Sequence, residues 1–120
     1  PYTTLFRSGD FKASSELFKR VVQLVPNDAA AYFNLGLSLG KQGRLLEAVN
    51  NFSISVKLDP NMKEAYLKRA VAYELLGETE MARKDFSKGL TLKDETRTNF
   101  TDRDPSNLNK IKETLAASKP

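Results

Sequence analysis

Apolar residues recur along this chain at helical spacing, in short runs separated by glycine or proline. In AAAYFNLGLSLGKQG (residues 29–43), Ala31, Tyr32, Leu35, Gly36 and Leu39 fall on one helical face. Gly43 follows where a helix would need a left-handed C-terminal cap, a conformation that a side chain disfavours. A second run, RLLEAVNNFSISVKL, places Leu45, Ala48, Val49, Phe52, Val56 and Leu58 inward. Pro60 then ends the helix and begins the next turn. The pattern predicts two antiparallel helices joined by a tight turn.

The same pattern recurs every 34 residues. Gly9, Gly43 and Gly77 form one column; Ser14, Ala48 and Ala82 form another. Phe18, Phe52 and Phe86 keep the interval, as do Leu24, Leu58 and Leu92, and Pro26 and Pro60 with Asp94 in the third slot. Tyr32 matches Tyr66, Gly36 matches Ala70, and Leu39 matches Tyr73. The small pair Gly36 and Ala48, repeated as Ala70 and Ala82, is expected to let the helices of each hairpin approach closely, while Tyr32, Phe52, Tyr66 and Phe86 fill the spaces between neighbours. An in-register repeat of this period predicts stacked hairpins that share one continuous core.

These columns resemble the tetratricopeptide repeat family, whose unit is a helix–turn–helix. NLGLSLGKQGRLLEAVNNFSISVKLDPN follows the family pattern through Leu35-Gly36, Leu39, Gly43, Ala48, Phe52 and Pro60, with Tyr32 before it. KEAYLKRAVAYELLGETEMARKDFSKGLTLKD follows it through Tyr66, Ala70, Tyr73, Gly77, Ala82 and Phe86. Three departures stand out: Ser14 for a small Ala, Gly89 where Ala is usual, and Asp94 for Pro. Gly89 lies mid-helix, so it is expected to cost about 1 kcal/mol relative to Ala. The resemblance implies an all-α fold, an α-solenoid of antiparallel helix–turn–helix repeats closed by a C-terminal capping helix. Residues 9–28 would be the second helix of a truncated first repeat, and 29–62 and 63–96 complete repeats.

The two ends depart from the repeat. Residues 1–8, PYTTLFRS, back-translate into the end of a common short-read sequencing adapter and are read as a non-native scar, excluded from the fold. In register, Leu5 would take the slot of Leu39, but Tyr2 would take the close-contact slot of Gly36, for which it is too large. Beyond the third repeat, Asp104 would fall at the small position with Pro105 next, which rules out a regular fourth unit. Residues 97–104 read as a linker and 105–118 as a capping helix. Asp104 and Pro105 suit its start, and Leu108, Ile111 and Leu115 form a narrow apolar stripe. A partner-binding helix is the alternative reading of that segment.

Composition narrows the chemistry. The chain lacks Cys and His, which removes thiol nucleophiles, disulfides, imidazole bases and the usual zinc ligands. Its sequence holds no glycine-rich phosphate loop, nucleophile elbow, carboxylate pair or calcium loop. Asn99-Phe100-Thr101 matches a glycosylation acceptor, read here as a chance match. No catalytic residue, metal site or cofactor is therefore expected, and the segment is not read as an enzyme. The net charge is +4, with acids and bases interleaved, as in Arg83-Lys84-Asp85. No basic stripe forms, which argues against a nucleic-acid partner. No apolar run is long enough to span a bilayer. A monomer in the cytoplasm, binding protein rather than a small molecule, is the expectation.

By the same resemblance, the first helix of each repeat lines a concave groove. Its groove positions are Ala30, Phe33, Asn34, Leu37 and Lys41 in one repeat, and Glu64, Leu67, Lys68, Val71 and Glu74 in the next. Phe33, Leu37, Leu67 and Val71 also lie off the core stripes, so they read as apolar docking residues or as contacts for a neighbouring helix missing from the chain. Asn34 can bond a peptide backbone, and Lys41 and Lys68 can meet acidic groups. Some members clamp the terminal carboxylate of heat-shock chaperones. Asn34 and, in part, Lys68 fit that clamp, but Glu64 reverses a required charge, so a chaperone clamp is not expected. The expected function is a protein-interaction module that binds an extended peptide or a helix. The alternative is the non-catalytic arm of a larger enzyme, for example one that modifies proteins. The small-residue columns and mixed charge speak against helical repeats that read RNA bases.

Overall fold

The computed structural model describes residues 9–92. It contains five helices in succession: α1 (Phe11–Leu24), α2 (Ala29–Lys41), α3 (Leu45–Leu58), α4 (Lys63–Leu75) and α5 (Thr79–Thr91). Each packs on the next in the chain, and α2 also touches α4. The result is the all-α stack of hairpins that the repeat predicts. Residues 1–8, the 97–104 linker and the 105–118 helix lie outside the described residues, as does the end of the third repeat.

Local chemistry sets the boundaries. Asp10 and Asp28 cap α1 and α2, each accepting a hydrogen bond from a first-turn amide: Ala13 N–H to Asp10 Oδ1 at 3.1 Å, and Ala31 N–H to Asp28 Oδ1 at 3.2 Å. The hairpin turns close on glycine. Gly43 and Gly77 have φ of 77° and 83°, where a β-carbon would be strained. Each is followed by a residue whose amide reaches back five positions to close the helix end: Arg44 N–H donates to Leu39 O at 3.0 Å, and Glu78 N–H to Tyr73 O at 2.8 Å.

Phe18, Leu35, Leu39, Ala48 and Phe52 form one buried cluster spanning α1 to α3. Val56, Met62 and Ala65 form a second between α3 and α4. The expected close approach of α2 and α3 is present, but its partners differ. A β-carbon built on Gly36 would lie 2.6 Å from the Phe52 ring, so Gly36 makes room for Phe52 rather than for Ala48. The neighbour of Ala48 is Gly40, whose added β-carbon would lie 3.9 Å away. Gly89 also has a packing role beyond its expected helix penalty. A β-carbon there would meet Leu67 Cδ2 at 2.5 Å, so the glycine seats Leu67 against α5.

The inward assignment of Leu58 does not hold. Leu58 is 40% exposed and its counterpart Leu24 is 82% exposed. Both are the last residues of their helices, and the described residues leave them in the exposed range. Ser14, the substitute for a small Ala, is fully buried and polar. Ser38 Oγ donates to Asn34 O at 3.1 Å, leaving Ser14 as donor in the 2.9 Å Ser14–Ser38 bond. Gln42 Nε2 sits 3.0 Å from Phe11 O, Ser15 Oγ and Ser38 O. The α1–α2 contact thus includes a satisfied polar seam beside its apolar cluster.

Candidate functional site

α2 and α4, the first helices of successive hairpins, touch each other, and α3 packs against both. Repetition of one hairpin brings them side by side, with α3 behind them. Between them lies a cleft of about 210 Å³ lined by Gly36, Leu37, Gly40 and Lys41 of α2, Leu45 and Phe52 of α3, and Lys68, Val71, Ala72 and Leu75 of α4. Glycine and alanine let the floor sink to the Phe52 ring. Val71 is 44% and Leu75 68% exposed, one turn apart on the cleft side of α4. Lys41 and Lys68 are exposed, and neither has an ion-pair partner among the described residues.

The groove residues expected from sequence divide into two sets. Leu37, Lys41, Lys68 and Val71 line the cleft together. Phe33 and Leu67 do not. Phe33 is half-buried, packs against both core clusters, and its ring lies 5.7 Å from that of Phe52 at an interplanar angle of 48°. The placement of Phe33 off the core is therefore corrected, and Leu67 is turned onto Gly89 of α5. Leu37 has both roles, lining the cleft and touching the first cluster. Asn34 is half-buried, and its side-chain amide makes no hydrogen bond among the described residues. Glu64 and Glu74 do not line the cleft.

A buried ion pair supports α4 from behind. Arg69 Nε lies 2.6 Å from Asp85 Oδ2 and Nη2 lies 2.7 Å from Oδ1, with side-chain exposures of 16% and 8%. Arg69 Nη1 also donates to Ser53 Oγ of α3 at 3.1 Å. Its guanidinium carbon lies 5.7 Å from the Tyr66 ring centroid and 5.8 Å from that of Tyr73. The hydrogen bonds to Asp85 raise the Arg69 pKa above its ordinary value, outweighing the opposing effect of burial. The column pattern does not single out this pair. Its signal was nonetheless present, since Arg69 occupies the column of Leu35, and Asp85 that of Asn51. Among the described residues, no cluster of acidic side chains could hold a metal ion.

Stacked antiparallel hairpins define a helical-repeat protein. Comparison with known proteins is more specific. Family models for the TPR repeat and the tetratricopeptide repeat match residues 4–43 and 34–95. The chain belongs to the tetratricopeptide repeat family, and it is a protein-interaction module. It is 34% identical over 80 residues to the TPR repeat-containing thioredoxin TTL4 of Arabidopsis thaliana, a match covering 67% of this chain and 12% of that protein. It is 32% identical over 87 residues to human DnaJ homolog subfamily C member 7, covering 69% and 18%. The chain thus spans under a quarter of either relative. The crystal structure of MamA aligns at TM-score 0.72 with 26% identity, covering 82% of this chain and 57% of that one. The second TPR of Spaghetti (RPAP3), solved with an HSP90 peptide, aligns at 0.75 and 23% identity, covering 77% and 85%, and shares the fold.

Proposed function

We propose that residues 29–96 bind an extended peptide or a helix of a protein partner along the inner surface of α2 and α4. Leu37, Lys41, Lys68 and Val71, which line the cleft, are the candidate contact residues, with Asn34 beside them; Phe33 and Leu67, expected there from sequence, pack onto the body of the protein instead. The observation that carries this reading is the open apolar cleft between the two helices, with lysines at its edge and no chain segment of the described residues filling it. The module acts by binding, as a monomer in the cytoplasm, with no nucleic acid, small-molecule substrate or cofactor. No described helix is long and apolar enough to cross a membrane.

The test is residue-resolved. Amide NMR spectra of the labelled chain, titrated with a mixed peptide library, should shift mainly in α2 and α4. Shifts confined to α1, α3 and α5 would overturn the groove. A second reading, a binding arm of a larger enzyme, is supported by the relatives. They include a thioredoxin and a protein O-mannosyl-transferase of Caenorhabditis elegans, which the chain matches over 12% and 9% of their lengths. Both readings use the same groove.

A further inference from the structure

In a stack of similar hairpins, any first helix has roughly the shape to pack on any second helix, whether of its own chain or of another copy. Exchange of such elements between copies is a low-cost route to dimers. The chain makes this contact twice, α1 with α2 and α3 with α4, and the two differ at corresponding positions. At the first, Ser14 Oγ bonds Ser38 Oγ at 2.9 Å, and Gln42 Nε2 of the α2 end reaches Phe11 O and Ser15 Oγ of α1 at 3.0 Å. Ser14, Ser15 and Ser38 are fully buried. Ser15 and Ser38 donate within their own helices, to Lys12 O at 2.8 Å and Asn34 O at 3.1 Å, which leaves their oxygens as acceptors for Gln42 and Ser14 across the contact. At the second contact, the same columns hold Ala48, Val49, Ala72 and Leu76, whose side chains neither donate nor accept. There Arg69 Nη1 of α4 donates instead to Ser53 Oγ of α3 at 3.1 Å. The columns of that pair hold Leu35 and Lys19 at the first contact.

The two polar sets do not interchange. In repeat register, α4 stacked on α1 would set Ala72 against Ser14 and bring Arg69 to Lys19. A buried hydroxyl would lose its acceptor, and two cations would meet. Stacking α2 on α3 would set Ser38 against Ala48, Gln42 against Val49 and Leu35 against Ser53, so neither polar set would find its counterpart. We infer that the two sets are keys that fix the stacking order. Ser14, Ser15, Ser38 and Gln42 admit α2 onto α1, Ser53 and Arg69 admit α4 onto α3, and the hairpins of a second copy are refused at both. The seam then serves specificity rather than stability, because apolar residues of similar volume would hold the helices at least as well. It also gives a reason for Ser14 in a column of alanines.

The test uses the full chain. Ser14→Ala/Ser15→Val/Ser38→Ala/Gln42→Leu writes the residues of the second contact into the first. Three of these four sites are fully buried, so the outer surface is nearly unchanged. The fourfold variant should keep the parent's helical signal and melt no lower, because both partners of the Ser14–Ser38 bond, and Gln42 together with its Ser15 acceptor, are replaced together. In sedimentation equilibrium it should associate at least about tenfold more tightly than the parent. Ser14→Ala/Ser38→Ala, which adds no bulk, should show the same gain to a smaller degree, and it decides the matter if Ser15→Val unfolds the chain. Ser38→Ala alone strands the Ser14 hydroxyl, so it should lower the melting temperature without any gain in association. A larger loss of melting temperature in the pair than in Ser38→Ala alone would make the seam an ordinary stabiliser and overturn the inference. It is equally overturned if the pair and the fourfold variant associate no more than the parent, since apolar shape alone would then order the stack.

Discussion

The hairpins α2–α3 and α4–α5 descend from one sequence pattern but are held together differently. In the first, the contact is apolar: Gly36 admits the Phe52 ring, and Leu35 and Leu39 complete the cluster. In the second, Arg69 stands in the Leu35 column, and a bidentate ion pair to Asp85 spans the hairpin. Alanine replaces Gly36 in that column at Ala70, and Phe86 is only half-buried where Phe52 is buried. A repeat therefore conserves where its helices go more strictly than the forces that hold them. Position in the stack is specified by the turns and the small-residue columns, which leaves single core sites free to change chemistry as long as each new polar group finds a partner.

The largest test of that contrast is to strand one charge. Asp85→Ala leaves the Arg69 guanidinium buried without its carboxylate and should cost about 3–5 kcal/mol in denaturant unfolding. The double change Arg69→Leu/Asp85→Asn, which writes the first hairpin's residues into the second, should recover most of the loss. No recovery would mean that the two hairpins are not interchangeable. Phe33→Ala comes next, at about 2–4 kcal/mol, because the ring packs against both core clusters. A parent-like melt would return Phe33 to the groove surface.

Gly36→Ala should cost about 1–3 kcal/mol, since its β-carbon would press on a buried ring that cannot move aside. Gly89→Ala, with a similarly short contact, meets the flexible end of a half-buried Leu67. The improved helix propensity, about 1 kcal/mol, should offset most of the strain, leaving a change within about 0.5 kcal/mol. Equal losses at the two glycines in parallel thermal melts would erase the difference between rigid and yielding neighbours.

The repeat made much of this fold legible. Gly43 and Gly77 marked the turns, and Phe18 and Phe52 marked the core. Comparing positions 34 apart averages over neighbours, however, and the errors arose where neighbours decide. Leu24 and Leu58 look like core in their column but end their helices in solvent. Gly36 and Ala48 are both small, yet each faces a different partner, because small size alone does not identify the opposing side chain. The site followed the same rule. Leu37, Lys41, Lys68 and Val71 were legible because their outward direction follows from helical phase. Phe33 and Leu67 were misjudged because long side chains can turn back onto the body of the protein. Leu75, exposed at the cleft, went unnoticed because it closes its helix, beyond the stretch where periodicity is clearest.

Because each helix packs mainly on its chain neighbours, no contact between distant parts of the stack holds the described segment closed. Such an array loosens one unit at a time from its ends, and its opening energy is set locally. A ligand seated between α2 and α4 would fasten two consecutive units across a sparse contact. Occupancy of the cleft should then appear as slower amide exchange throughout both hairpins, far beyond the residues it touches, because the bound stack must open as one block.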